Sequence, residues 1–116
     1  MSKHFKSLEF ACHCCGKEIE MNPKLLFELE AIHAHFDDAP ITVLSGYRCP
    51  HHNKEVGGAK HSQHMIGTAA DIFVKGHPPA EVQHYLRQKY TGKYGIGSYH
   101  TFTHFDVRNY MARWRA

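Results

Sequence analysis

An irregular stretch from Tyr47 to Gly67 dominates the middle of the chain and constrains what the segments around it can build. It carries Pro50, Asn53, the Gly57-Gly58 pair and Gly67, residues that punctuate both helix and strand patterns. Loops this long inside a compact domain are usually functional. The flanking segments are regular. Asn22-Pro23 reads as a helix start, with Asn as cap and Pro at the first helical position. Leu25, Leu29, Ile32 and Phe36 then recur at helical spacing until Asp37-Asp38-Ala39-Pro40 ends the run. Ile41-Thr42-Val43-Leu44 reads as a short strand stopped by Ser45-Gly46, and Ala69 to Val74 as a buried strand. After a turn at Gly76-His77-Pro78-Pro79, Ala80 to Tyr90 reads as a second helix that buries Val82, Tyr85 and Leu86 and stops at Gly92. Tyr94 to Tyr99 and Thr103 to Arg108 read as two further strands joined around His100. The expectation is an α+β domain with a small, mainly antiparallel sheet and two principal helices. One domain covers 1–116, with the cysteine-containing segment 1–21 packed on it.

Composition narrows the function classes. With 42% hydrophobic and 22% charged residues the chain is an ordinary globular protein, without a disorder signature. A formal charge of +3 is too small and too evenly spread to argue for nucleic acid, although the tail Arg108, Arg113, Arg115 keeps that class as a weak third reading. No apolar run approaches the roughly 18 residues of a membrane span. The N-terminal MSKHFKSLEF lacks the apolar stretch of a secretory signal, so the expectation is synthesis in the cytoplasm. Histidine is the abnormal count: twelve of 116 residues, far above what packing needs. It is the commonest metal ligand and the neutral-pH proton carrier.

Cys12, Cys14 and Cys15 are crowded together and Cys49 stands alone. Cys12 and Cys15 have zinc-knuckle spacing, and Cys49 with His13, His51 or His52 would complete a structural site. Free, partly buried thiols, or a disulfide involving Cys49, are the alternatives. Either way, Cys12, Cys14 and Cys15 are expected to cluster near Cys49 and anchor the N-terminal segment.

His64 ends the long loop, Asp71 interrupts the apolar run that follows, and His104 sits in the last strand. Two imidazoles and a carboxylate form a typical ligand set for a catalytic zinc. A carboxylate within an apolar strand is expensive unless paired, hydrogen-bonded or on a metal. The competing reading is an Asp satisfied by backbone donors and two surface histidines; spacing alone does not bring His104 to the other two.

Longer motifs carry a resemblance. Ser45-Gly46-Tyr47-Arg48-Cys49-Pro50 with His52-Asn53, Val56-Gly57-Gly58-Ala59, Ser62-Gln63-His64, Gly67, Ala69-Ala70-Asp71-Ile72, Gly95-Ile96-Gly97 and His104-Phe105-Asp106-Val107-Arg108 occur in this order. Together they closely resemble the zinc D-Ala-D-Ala carboxypeptidase and peptidoglycan endopeptidase family, in its small stand-alone phage and prophage form. The wider superfamily includes lysostaphin-type enzymes and the hedgehog domain. The resemblance implies a hedgehog/D-Ala-D-Ala peptidase-like fold and one catalytic Zn2+ on His64, Asp71 and His104. It also implies that Arg48 lies beside the metal, where it grips a substrate carboxylate or stabilises an oxyanion. Ser62 and Gln63, which flank the first ligand, are expected to contact substrate or to orient His64, and Tyr99 to contact substrate.

One departure stands out. Related enzymes usually carry a His, Glu or Asp two or three residues before the last zinc ligand as general base; here those positions are Phe102 and Thr101. Asp106, which shares a strand face with His104, and His100, on the turn, are the candidates, with His61 a weaker third. Asp106 also reads as a partner that holds an imidazole. Arg48 is expected in an exposed polar loop, where its replacement changes stability by under about 0.5 kcal/mol. The leading expectation is a metallopeptidase of peptidoglycan stem peptides that reaches the wall through a holin or with a phage particle. The alternative is a metal-stabilised, non-catalytic module of a phage particle.

Overall fold

The two apolar runs that flank the long loop become neighbouring strands of one sheet. The computed structural model describes residues 2–116. Ile41–Ser45 (β1) pairs antiparallel with Ala69–Val74 (β2), and β2 pairs antiparallel with Thr103–Asp106 (β4). Gly95–Ser98 (β3) runs antiparallel to β4 on its other side, and Ala112–Arg115 (β5) lies parallel to β3. The order across the sheet is therefore β1-β2-β4-β3-β5.

Successive residues of a strand point to opposite faces. Ala70, Ile72 and Val74 of β2, Ile96 of β3 and Phe105 of β4 join one hydrophobic core. The helix Pro23–His35 (α1) contributes Leu25, Leu29 and Ile32, and Pro79–Lys89 (α3) contributes Val82 and Leu86. The Asn22 side chain accepts the Lys24 N–H at 2.8 Å and caps α1, with Pro23 following at the first position. Buried Glu28 of α1 accepts hydrogen bonds from the hydroxyls of Tyr90 and Tyr94, tying α1 to the end of α3 and the entry to β3. Burial and that carboxylate push the Tyr94 hydroxyl up to about 12. Phe5, Phe10, Cys12 and Met21 are buried in the same core, so the N-terminal segment is part of it. Gly46 is required there, because a Cβ would lie 2.6 Å from the Phe10 Cα.

Three elements differ from the sequence reading. The long loop contains a short helix, Pro50–Glu55 (α2), too brief to show a helical period. Strand β3 starts at Gly95 because Tyr94 adopts φ +67°, outside extended backbone. Of the tail arginines, Arg113 and Arg115 lie in strand β5, and Arg113 is spent on the fold: it donates to the carbonyls of Tyr94 at 2.6 Å and Lys93 at 3.0 Å. No helix among the described residues is long and apolar enough to cross a membrane.

Candidate metal centre

The face of the sheet opposite the core carries the polar residues of the same strands. In the β2–β4 pair Asp71 stands opposite His104, and in the β3–β4 pair Gly95 stands opposite Asp106 and Gly97 opposite His104. His64 arrives from the loop on a single helical turn, Gln63–Ile66. That turn is capped by Ser62 Oγ, which accepts the His64 N–H at 3.2 Å, and Gly67 at φ +75° directs the chain onward into β2. His64 Nε2 lies 3.2 Å and His104 Nδ1 2.9 Å from the same Asp71 oxygen, Oδ1. All three side chains are buried, with ligand atoms within 4.8 Å of one another.

The outer nitrogens are also held. His64 Nδ1 donates to the Gly46 carbonyl at 2.7 Å, and His104 Nε2 donates to Asp106 Oδ2 at 2.7 Å. Both acceptors lack a proton to give, so the outer nitrogens carry hydrogens, and Nε2 of His64 and Nδ1 of His104 are the ring atoms left to face a metal beside Asp71. Two imidazoles with oriented outer nitrogens and one carboxylate fit a zinc ion.

Asp106 is fully buried, and Arg108 grips it with Nε at 2.8 Å on one oxygen and Nη2 at 2.7 Å on the other. Burial raises its carboxyl, but Arg108 and His104 outweigh burial and hold it well below the usual carboxylate range. The Gly-Ile-Gly of β3 makes the room: a Cβ on Gly95 would collide with the Asp106 carboxylate. A Cβ on Gly97 would lie 2.6 Å from the Trp114 indole, whose ring packs at 4.9 Å against His104. The triad forms part of the wall of a cleft of about 730 Å³, whose lining also includes Arg48, His61, Gln63, Tyr99 and Tyr110.

A model of the peptidase M15 family matches residues 3–106. The chain belongs to the peptidase M15 family. It is also similar to the zinc D-Ala-D-Ala carboxypeptidase of Streptomyces albus G, with 45% identity over 47 residues, 40% of this chain. The M15 chain covers 18% of that relative's length.

Within this M15 chain the other anticipated residues separate. Arg48 is not in an exposed loop. Its guanidinium is largely buried, donating to Asn53 Oδ1 at 3.0 Å and Ser45 Oγ at 3.3 Å, with Nη2 3.5 Å from Asp71 Oδ2. Asn53, buried in α2, was not singled out for this role although it lay inside the motif. Gln63 and Tyr99 line the cleft with existing partners: Gln63 Oε1 accepts from Thr68 at 2.7 Å, and the Tyr99 hydroxyl accepts from Trp114 Nε1 at 3.1 Å. His100 does not reach the centre. Gln83 donates to the carbonyls of Tyr99 and Phe102 and pins the turn, and His100 lines a separate recess with Gln83 and Arg115. Between the two roles read for Asp106, its burial and paired oxygens leave the holder of His104 and remove the base.

The centre has a pH signature. In the metal-free protein burial lowers the His104 pKa, but Asp106 and Asp71 outweigh it and raise it above the ordinary histidine value. A raised folded pKa contributes stability below the unfolded value, and that contribution is lost as pH rises through the folded one. Zinc needs the unprotonated ring, so its affinity moves the opposite way. The gap in melting temperature between zinc-loaded and metal-free protein should therefore widen as pH rises from about 5.5 to 8, as read by differential scanning calorimetry at fixed free zinc. A gap that narrows over this range would rule the arrangement out.

Proposed function

We propose that the chain is a zinc metallopeptidase that hydrolyses the stem peptides of bacterial peptidoglycan, as carboxypeptidase or endopeptidase. The observation that carries this reading is the convergence of His64 Nε2, Asp71 Oδ1 and His104 Nδ1 in a cleft flanked by Arg48. The similarity to a zinc D-Ala-D-Ala carboxypeptidase supports the substrate class. The phage or prophage derivation implied by the motifs belongs to the same proposal.

Zinc bound there supplies Lewis acidity toward the scissile carbonyl and lowers the pKa of a water to about 7. The chain's own groups do the rest. Arg48, preset by Asn53 and Ser45, offers a planar fork to a substrate carboxylate or to charge developing on the carbonyl oxygen. Asp106, locked by Arg108, fixes the His104 ring and is a positioning residue. His61 lines the cleft, and its side-chain type suits the transfer of a proton from the attacking water to the leaving amine.

The test is hydrolysis of purified stem peptides, followed by chromatography, before and after chelation and after zinc is restored. Cleavage that stops with the chelator and returns with zinc is the expected result. Uncleaved peptide with the zinc-loaded protein favours the non-catalytic module instead, a reading supported by the absence of a base at Thr101 and Phe102.

A further inference from the structure

Away from the cleft centre, four thiols meet. Cys12, Cys14, Cys15 and Cys49 bring their Sγ atoms within 4.8 Å of one another, and Cys14 Sγ lies 3.5 Å from Cys49 Sγ. A disulfide needs roughly 2.05 Å between sulfurs. Four sulfurs at about 2.3 Å from a tetrahedral zinc stand about 3.8 Å apart, close to what is observed. We propose that these four cysteines form a second, structural metal site of the closed four-thiolate kind, selective for zinc over hard cations.

The surroundings suit thiolates. The Cys49 N–H donates to Cys12 Sγ at 3.4 Å and the His52 N–H to Cys49 Sγ at 3.4 Å. Residues 12–17 fold into a tight loop: Cys12 N–H donates to the Lys17 carbonyl at 2.9 Å, Gly16 N–H to the Cys12 carbonyl at 2.7 Å, and Gly16 takes φ +73°. Three sulfurs are thereby presented from six residues, and the fourth comes from a segment 34 or more positions away.

The site has a structural consequence for the cleft. Cys49 follows Arg48 directly, and Gly46, three residues earlier, holds His64 through its carbonyl. A metal at the thiols clamps the N-terminal segment to the loop that carries both. The proposal stands independently of peptide hydrolysis.

The probe is cobalt(II) loaded into the full chain, with metal content by mass spectrometry and thiol alkylation by iodoacetamide. The expected result is a second metal equivalent, intense thiolate-to-cobalt charge-transfer absorption, and thiols alkylated at least about tenfold more slowly than after chelation. The variant Cys14→Ser/Cys15→Ser removes two exposed side chains and no core. It should keep one metal and lose the charge-transfer band. Cobalt-loaded parent protein without that band, equal alkylation rates with and without metal, or disulfides formed in the purified chain would each overturn the proposal.

Discussion

His64→Ala is expected to lose the metal of the cleft and to slow stem-peptide hydrolysis by at least about three orders of magnitude. The imidazole supplies one of three ligand atoms, and Asp71 Oδ1 is shared between it and His104. Removing it leaves a carboxylate and one ring, too few donors for a stable site. A zinc ion contributes several kcal/mol of transition-state stabilisation, and each 1.36 kcal/mol is about tenfold in rate. Truncation also orphans the buried Gly46 carbonyl, which His64 Nδ1 now satisfies, at about 1–3 kcal/mol of stability. Metal content and initial rate on the same preparation check both effects. Parent-like hydrolysis by a variant holding one metal fewer would separate the centre from the chemistry.

Arg48→Ala is the second large effect, and its stability component differs from what the sequence suggested. Three contacts hold the guanidinium: Asn53 at 3.0 Å, Ser45 at 3.3 Å and Asp71 at 3.5 Å. Losing them leaves Asn53 Oδ1 without that donor, so about 1–3 kcal/mol of stability should go. The rate should fall further. A charged donor aimed at developing negative charge in a cleft contributes about 2–4 kcal/mol, corresponding to roughly 30- to 1,000-fold. Arg48→Lys should recover part of the rate, because an ammonium lacks the planar fork that reaches two partners at once. Calorimetry and kcat/KM on stem peptide separate the components. A variant that melts early yet cleaves at the parent rate would make Arg48 purely structural.

Most of the framework was legible because it rests on local rules. The Asn22-Pro23 start of α1 follows from capping chemistry, and the bounds of β2 follow from an apolar run between turns. The elements that were missed have no local signature. Helix α2 is shorter than two helical turns, and β5 is an Ala-Arg-Trp-Arg strand whose Trp114 ring occupies the space that Gly97 leaves. The centre divides the same way. His64, Asp71 and His104 could be named from residue type and motif, but their meeting depends on strand register, which pairs Asp71 with His104 across 33 positions. Asp106 was ambiguous for the same reason. Only the Arg108 fork and its complete burial decide that it orients a ring. Arg48 looked exposed because its partner Asn53 lies on a helix that periodicity cannot reveal.

Mass spectrometry of muropeptides incubated with the zinc-loaded chain tests the central claim most directly. Hydrolysis of one peptide bond in the stem, either release of a terminal D-Ala or division of the peptide, with no such product from Asp71→Asn, is the result the site geometry predicts. An unchanged muropeptide spectrum from a protein that holds zinc on His64, Asp71 and His104 would contradict it.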